Sequence, residues 1–470
     1  MTAGTGQRGK AGSYGNAFHL RMHKSISANG RDRPMNPADA RNILQGPRRP
    51  DKVSLLAAGL LWMISGNSFV GVGGYEDFVI PFCTLLIGSL GLFHSFKLSP
   101  AKPLLVVGAL FFVWFLIASI AGVSDQAYPL VGHFVKLFSV LLFVAYCKQS
   151  AMALVESMVF ICTYSIAVFA VRQVVLISGY DIADIFSPLY PLTGFEAMRT
   201  TPFYNFHLVR EMHRNCGPFR EPGMFAANII LAMVILLASS RYYPSKYLRR
   251  SAIVLTLALF TTQSTMGLSA LPAVALAAFI RFGRSGTQKI IVLPLIALMI
   301  GLSILLLADE HGDKITAQWD ITAYQEHNWY QTRFGNAVVD WYAIEQKPLT
   351  GYGFAEKGRP IYWHSKSDQL GFGNGFTGTM VKFGVPLALL LYLFLLIRLW
   401  RTFGDWLLTV CIAVAVFIIL FSQQLLTLAM FYVLFANLKP AGVKSIPAKV
   451  SAVRLKRRYS PENRPSLPTA

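Results

Sequence analysis

Long apolar runs dominate the chain and alternate with short polar segments. A transmembrane helix needs about 20 consecutive apolar residues, and twelve runs come close to that length. The pattern therefore predicts an all-α polytopic membrane protein of about twelve spans. The predicted spans are 53–70, 78–93, 103–122, 131–147, 152–178, 223–240, 251–265, 267–280, 290–308, 376–397, 406–421 and 422–438.

Two long runs, 251–280 and 406–438, are each compatible with one long helix or with two short ones. Lys and Arg mark the cytoplasmic side of a membrane protein, so charge decides between them. Splitting both runs keeps every basic loop and both basic tails on the same side. The basic short loops are 94–102, 148–151, 241–250, 281–289 and 398–405. The loops 71–77 and 123–130 contain acidic residues but no Lys or Arg.

The net charge of +20 is high for a chain that is 54% hydrophobic and 14% charged. Much of it lies in the tails, because 1–50 holds nine Lys or Arg and two Asp, and 439–470 holds eight and one Glu. We expect both tails to be disordered, cytoplasmic and attracted to anionic lipid. Topology thus explains the charge, and we expect no nucleic-acid partner. The remaining segment, 51–438, is predicted to be the membrane domain.

Several other classes are disfavoured. The first apolar run begins near Val53, behind a polar segment, so we expect no ordinary cleavable signal peptide. Four of the five cysteines lie in apolar runs and Cys216 is alone in a loop, which disfavours a disulfide framework. The chain lacks a nucleotide-binding glycine loop, a His-Glu-x-x-His motif and a nucleophile elbow. We expect no metal ion and no cofactor.

Three basic residues are embedded in predicted spans: Lys136, Arg172 and Lys382. Each is predicted to lie roughly 9 Å below the outer membrane boundary. An embedded charge costs at least a few kcal/mol, so it normally has a partner or a function. The three bases predict a positive pocket at the depth of a lipid diphosphate. Snorkelling to the interface and pairing with protein carboxylates are the alternatives.

The topology leaves two long outer loops, 179–222 and 309–375. The first ends in a basic stretch whose arginines suit phosphate, because a guanidinium binds two oxygens at once. Glu221 precedes Pro222, so it is either a helix cap or a carboxylate held at the site, as a base or as the orienter of an arginine. The loop's arginines are Arg199, Arg210, Arg214 and Arg220.

The second loop combines Arg333, His364 and Asn374 with many aromatic residues, including Trp341 and Tyr352. Aromatic and amide groups suit sugar binding, although anchoring at the membrane interface is an alternative for the aromatic residues. His364 is a candidate proton acceptor from a sugar hydroxyl, or an exposed loop residue.

Three stretches resemble the O-antigen polymerase and ligase superfamily of bacterial inner membranes. Cys216-Gly-Pro-Phe-Arg-Glu-Pro-Gly-Met-Phe-Ala is similar to the Gly-x-Phe-x-Glu-Pro pattern of exopolysaccharide and capsule polymerases. Thr262-Gln-Ser-Thr-Met-Gly267 resembles a break between two short spans. Arg333 to Trp341, Lys347-Pro-Leu-Thr-Gly-Tyr-Gly353, and Asn374-Gly-Phe with Gly384 are similar to the family's second loop and the helix after it. The resemblance covers roughly residues 55–440.

The resemblance implies a GT-C-like fold in the inner membrane, an active site facing the periplasm, and a substrate linked to undecaprenyl diphosphate. It assigns the diphosphate to first-loop arginines (Arg210, Arg214 or Arg220) and to Arg333. Ligases usually carry His-Asn before the helix that follows the second loop, but Gly373 precedes Asn374 here. This difference favours a Wzy-type polymerase. A Wzx-type flippase and a Wzz-type co-polymerase are the partners that the family implies.

The sequence thus predicts a metal-independent glycosyltransferase that polymerises lipid-linked repeat units into a surface polysaccharide or exopolysaccharide. The first alternative is a ligase that moves the glycan from the same carrier to lipid A-core or another acceptor. The second is a flippase or transporter of lipid-linked sugar. Transport would favour charges near the membrane midplane, whereas the three embedded bases are predicted at one outer depth.

Overall fold

The computed structural model describes residues 50–66, 76–92, 94, 96–123, 127–189, 198–200, 203–207, 213–282, 333–353, 374–425 and 428–438. They all belong to one compact unit. The predicted span 290–308, almost all of both predicted tails and much of the two long loops lie outside the described residues.

Twelve α-helices occur in the described residues. They are α1 (Lys52–Met63), α2 (Glu76–Gly91), α3 (Lys102–Ile120), α4 (Ala127–Tyr146), α5 (Ser150–Ile177), α6 (Pro222–Ser239), α7 (Ser245–Thr262), α8 (Thr265–Phe282), α9 (Arg333–Gln346), α10 (Gly375–Phe403), α11 (Trp406–Ser422) and α12 (Ala429–Tyr432). Short 3-10 helices cover Ile182–Leu189, Ser240–Tyr242 and Val433–Phe435. Strands β1 (Met198–Thr200) and β2 (Asn205–His207) pair antiparallel, with Arg199 opposite Phe206.

Helix α6 forms the centre of the bundle, since 83% of its residues are buried. It packs against α5, α7, α8 and α11. A helix that is apolar all round is expected in such a position. Gly267 lets α8 approach α6 closely, because a Cβ there would lie 2.8 Å from the Cβ of Ala226.

In the part of the chain that the structure describes, five helices are long and apolar enough to cross a membrane: α3, α5, α6, α8 and α10. Four shorter apolar helices accompany them. The class of all-α multi-span membrane protein is thus confirmed. The predicted split of 251–280 is also confirmed, because α7 ends at Thr262 and α8 begins at Thr265. Between them Gln263 adopts a left-handed conformation with φ 48°.

The predicted span 422–438 is corrected by the structure. Helix α11 ends at Ser422, and Gln423 is extended (φ −137°, ψ 142°). In the described residues from there to Leu438, the helical elements are the four-residue α12 and one 3-10 turn. This segment is buried inside the protein, where side chains satisfy its free backbone groups. Arg398 donates to the carbonyl oxygens of Phe435 (2.8 Å) and Ala436 (3.0 Å), and Ser65 Oγ accepts from the Met430 amide at 2.8 Å. Non-helical backbone is tolerated at membrane depth only in such surroundings.

Helix α10 is interrupted at Gly384, which has φ 76° and ψ 161°, two residues before Pro386. Since proline has no N–H, the Lys382 carbonyl loses its helical partner. The turn 347–353 replaces the lost bonds. Gly353 N–H donates to the Lys382 carbonyl (2.9 Å), Tyr352 N–H donates to Val381 (2.8 Å), and Val385 N–H donates back to Pro348 (2.8 Å). The Lys347–Gly353 motif therefore stabilises the interrupted part of α10 through backbone hydrogen bonds.

We predict that Gly384→Ala destabilises the protein by about 3 kcal/mol or more, because it adds steric overlap to a left-handed backbone. The new Cβ would overlap the Leu349 carbonyl group and lie 2.9 Å from the Thr350 nitrogen. Gly404→Ala is the matched control, since Gly404 has φ 66° and open space around its Cβ. It should cost about 1 kcal/mol. Thermal unfolding in detergent measures both, and equal losses would contradict the proposed docking of turn 347–353.

Candidate active site

The first loop positions Arg220 and Glu221 through the side chain of Asn205 on β2. Asn205 Nδ2 donates to the carbonyl oxygens of Phe219 at 3.1 Å and Arg220 at 3.0 Å, and its backbone N–H donates to Gly217 at 2.7 Å. Asn205 is fully buried, whereas the Arg220 side chain is exposed. The hairpin thus fixes the backbone that leads into α6 and leaves the guanidinium at the surface.

Glu221 occupies the N-cap position of α6, but its side chain makes no capping hydrogen bond. Its Oε1 instead accepts from Gln423 Nε2 at 2.7 Å. Gly223 makes room for this contact, because a Cβ there would lie 2.8 Å from the same nitrogen. Of the two predicted roles of Glu221, the structure favours a side chain oriented by its neighbours over a helix cap.

Lys382 is oriented by Gln424, the residue that follows Gln423 in the chain. Its Nζ donates to Gln424 Oε1 at 2.8 Å. Consecutive glutamines therefore hold an acid from α6 and a base from α10. We call Glu221, Lys382, Gln423 and Gln424 the glutamine cluster.

The N-termini of two helices meet at the glutamine cluster. Glu221 precedes α6, and Gly375, the first residue of α10, lies directly on the backbone of Gln423, so closely that a Cβ would overlap its carbonyl oxygen. A helix N-terminus carries a partial positive charge and favours anions. The two helix ends and Lys382 therefore contribute positive charge around the Glu221 carboxylate.

Asn374 caps α10, since its Oδ1 accepts from the N–H groups of Phe376 (2.9 Å) and Thr377 (3.1 Å). Its Nδ2 is buried and has no hydrogen-bond partner in the described part of the chain. A buried amide without a partner is costly and is a candidate donor to a ligand. This geometry is compatible with the predicted contact to a sugar hydroxyl.

Asp340 on α9 adds a second carboxylate beside the start of α10. It is 4% exposed, and Thr377 Oγ1 donates to its Oδ2. A Cβ on Gly378 would lie 3.8 Å from this oxygen and 4.0 Å from Gln424 Nε2, so Asp340 borders the glutamine cluster. Carboxylate and amide groups together form a suitable surface for hydroxyl groups.

Arg172 pairs with a protein carboxylate, which was one of the alternatives for the embedded bases. Its Nε and Nη2 donate to the two carboxylate oxygens of Asp181 at 3.0 and 2.6 Å, and its guanidinium lies 5.5 Å from the Phe206 ring centroid. Partial burial acts to raise the pKa of Asp181. The Arg172 and Ala183 hydrogen bonds and the Arg172 charge outweigh that effect and hold the pKa below its usual range. This pairing favours the carboxylate alternative over the predicted diphosphate contact for Arg172.

Arg214 also has protein acceptors. It donates to the carbonyl oxygens of Thr262 and Gln263, each at 3.2 Å, and so binds the C-terminal end of α7. Asn215 strengthens this link through Thr261, with side-chain and backbone bonds of 2.9 Å each. Arg214 thus joins the first loop to the break between α7 and α8.

Lys136 is half-buried on α4, one turn from His133, whose Nδ1 forms a 3.1 Å hydrogen bond with the Tyr432 hydroxyl. The Phe111 ring packs against His133, which lies one turn from Lys136 on α4. It also packs against Phe383, the residue after Lys382 on α10. The two lysine-bearing helices are therefore linked through one aromatic residue.

The aromatic candidates differ in accessibility. Trp341 is 55% exposed on α9 and donates to Glu345 Oε1 at 2.8 Å, so much of its ring is open. Tyr352 is 2% exposed, its hydroxyl bonds to Gln346, and Lys347 Nζ lies 4.7 Å from its ring centroid. Its ring therefore offers no open face to a sugar. Arg333 begins α9, and His364 and Arg210 lie outside the described residues.

Sequence reasoning missed four residues of this region: Gln423, Gln424, Asp340 and Thr377. Gln423 and Gln424 did carry a signal, because two adjacent amides interrupt an otherwise apolar run. Asp340 was also visible, as an acid directly after the apolar residues 337–339, but nothing local identified Thr377 as its partner.

The fold and the polar cluster between its helices define a multi-span α-helical membrane protein with acidic, basic and amide side chains grouped at two helix N-termini. The family described as O-antigen ligase matches residues 251–392, which include most of α7, all of α8 and α9, Asn374 and Lys382. The match supports an O-antigen ligase and polymerase type of superfamily for this chain, and it confirms the resemblance inferred from the motifs. No curated protein matches the chain.

We predict that Asp181→Asn destabilises the protein at neutral pH by about 3 kcal/mol, because Arg172 would remain buried without its counter-charge. The pKa of folded Asp181 lies below 3.8, so its contribution is complete above that pH and is lost as the pH falls through the folded value. The difference in unfolding midpoint between wild type and variant should therefore shrink below pH 3.8. The exposed Asp184, changed to Asn, is the control, and a pH-independent difference would contradict the pairing.

Proposed function

We propose that the protein is a polysaccharide polymerase that transfers a growing glycan from undecaprenyl diphosphate to the sugar of an incoming lipid-linked repeat unit. The family match supports a function within the O-antigen ligase and polymerase family, whose members resemble glycosyltransferases. It gives no support to the flippase alternative. The active site would face the periplasm of a bacterial inner membrane.

The observation that carries the proposal is the glutamine cluster at the meeting point of two helix N-termini. One carboxylate, Glu221, and one ammonium group, Lys382, are each oriented by a neutral amide. Arg220 directly precedes Glu221 in the chain, and its side chain is exposed. A diphosphate placed here would meet Lys382, Arg220 and the positive ends of α6 and α10.

The reaction would be a displacement at an anomeric carbon. The bond between this carbon and the diphosphate oxygen breaks, and the acceptor hydroxyl oxygen forms the new glycosidic bond. The hydroxyl proton passes to a base, and the lipid diphosphate leaves with the bonding electrons. Lys382, Arg220 and Arg333 would stabilise the developing charge, which is commonly the largest contribution to catalysis.

Two groups are proposed as the base, Glu221 and His364. Glu221 has the geometric support described above, whereas His364 rests on its chemistry and its loop. Asn374 Nδ2 and Asp340 would bind acceptor hydroxyls, and the exposed ring of Trp341 would stack on a sugar face. Asp340 is an addition that the sequence did not predict.

The second candidate function is a ligase, since the matching family is described as O-antigen ligase. It uses the same donor and the same leaving group, so the cluster serves both reactions. The residue before Asn374 is Gly373 instead of the histidine that ligases usually carry there, which favours the polymerase.

A deletion strain distinguishes these functions. We expect single repeat units to accumulate on the lipid carrier and long-chain polysaccharide to disappear, as seen by gel electrophoresis of lipid-linked glycans. Intact long polymer that is no longer attached to its acceptor would indicate the ligase. Normal attached polymer in the deletion strain would refute both.

In the complemented strain, Lys382→Met should reduce polymerisation about 100-fold or more, because a donor to the developing diphosphate charge is lost. Glu221→Gln should reduce it by a similar factor if Glu221 is the base, since the amide preserves the Gln423 contact but accepts protons poorly. Arg220→Ala and Arg333→Ala test the arginines, and His364→Ala tests the other base.

Lys347→Met is the matched control, because Lys347 is an exposed lysine on the turn beside α10. Polymer length should be unchanged in this variant, and all variants must reach the membrane at wild-type level. Wild-type polymer in Lys382→Met, Arg220→Ala and Arg333→Ala would refute the diphosphate site.

A further inference from the structure

A cavity of about 880 Å³ lies between α1, α5 and α7. It follows α5 from Glu156 to Tyr164, about 12 Å along the helix axis. Most of its lining is apolar, and several lining side chains are exposed on the outside of the bundle, such as Leu56 (53%) and Phe160 (73%). The cavity therefore opens sideways, toward the surroundings of the membrane domain.

Three polar groups lie together at one end of this cavity: Glu156, Tyr247 and Arg250. Glu156 and Arg250 are both close enough to the Tyr247 hydroxyl to interact with it electrostatically. The Glu156 Oε2 and the Tyr247 hydroxyl are both buried, and Oε2 has no hydrogen-bond partner within the described ranges. An acceptor buried in this way is costly unless a ligand supplies a donor.

The other end of the cavity has a different character. Phe203, Pro218 and Phe219 of the first loop line it, close to the Arg220 side of the candidate active site. The carboxylate and the guanidinium near Tyr247 are thus separated from the glutamine cluster by an apolar stretch. A ligand of this cavity needs a polar head at the Tyr247 end and an apolar chain along α5.

We propose that the cavity is a binding site for a phospholipid with a primary ammonium head group, such as phosphatidylethanolamine. Its ammonium would donate to Glu156, its phosphate would accept from Arg250 and the Tyr247 hydroxyl, and an acyl chain would follow Leu56 and Phe160. The charges are complementary, since the site offers one acid and one base and the head group carries one of each sign. This inference does not depend on the proposed polymerase reaction.

The unpaired Glu156 oxygen makes the proposal specific. A primary ammonium can donate a hydrogen bond to Oε2, whereas the quaternary ammonium of phosphatidylcholine cannot, and phosphatidylglycerol carries no cation at all. The site should therefore prefer phosphatidylethanolamine to both. The polar end belongs to the basic segment 241–250, which the charge pattern assigns to the cytoplasmic leaflet.

Native mass spectrometry of the full-length purified protein tests this preference without any variant. The protein is equilibrated with micelles containing equal amounts of phosphatidylethanolamine, its N-methylated derivatives, phosphatidylcholine and phosphatidylglycerol. We expect retention of phosphatidylethanolamine and a stepwise decrease with each added methyl group, reaching about 10-fold for phosphatidylcholine. Equal retention of all these head groups would overturn the proposal.

Variants then locate the site. Glu156→Gln should lower the retention of phosphatidylethanolamine about 10-fold toward the level of phosphatidylcholine. Arg250→Gln should lower the retention of all phospholipids. Arg249→Gln is the matched control, because Arg249 is exposed on the same helix and does not line the cavity.

A prenyl chain of the substrate is the competing occupant. Displacement of phosphatidylethanolamine by undecaprenyl phosphate at an equal concentration would show that the cavity holds the substrate's lipid, and the proposal would fail. It would fail as well if wild-type and Glu156→Gln proteins retained phosphatidylethanolamine equally. The thermal unfolding midpoint of each variant checks that the fold is preserved.

Discussion

Within an apolar bundle, every backbone N–H and C=O that leaves a helix needs another partner, and this requirement governs the arrangement of the whole described domain. The chain breaks its helices at Gln263, at Gly384 and after Ser422. Each break is satisfied by groups from elsewhere in the sequence. Arg214 donates to a backbone carbonyl at the first break, and the turn 347–353 forms backbone hydrogen bonds with the second. Arg398 and Ser65 form hydrogen bonds with the backbone that follows the third break.

These breaks also create the candidate active site. Helix α11 stops at Ser422, so Gln423 and Gln424 are free to turn their side chains toward α6 and α10. The first loop ends at Glu221, so the N-terminus of α6 is presented at the same place. A continuous helix over 422–438 would have engaged its backbone internally and would have aimed two adjacent glutamines about 100° apart. The interruption of the helix is therefore a condition for the polar cluster.

The sequence predicted well those features that depend on local composition. Apolar runs located the helices, and the basic loops 241–250 and 281–289, which must lie on the same side, predicted the split that Gln263 makes. The extent of 422–438 was mispredicted because an apolar run does not distinguish a spanning helix from buried irregular backbone. What separates them is the Arg398 contact to Phe435 and Ala436, which joins residues 37 and 38 positions apart. The Glu221–Gln423 pair spans 202 positions, so no local pattern could reveal it.

Two carboxylates of this domain, Asp181 and Glu221, are held in different ways. Arg172 and Asp181 form a bidentate pair, in which each charge is compensated by the other, and this arrangement is suited to holding the first loop against α5. Glu221 is treated differently, since its partner is a neutral amide and no ion pair forms on it among the described residues. A carboxylate that is oriented by an amide and not paired with a cation can orient a cation or a substrate hydroxyl. The cost of keeping that charge is reduced by the positive end of α6, to which Glu221 is adjacent. The contrast between these two acids is the physical reason why we propose a chemical role for Glu221 and a structural one for Asp181.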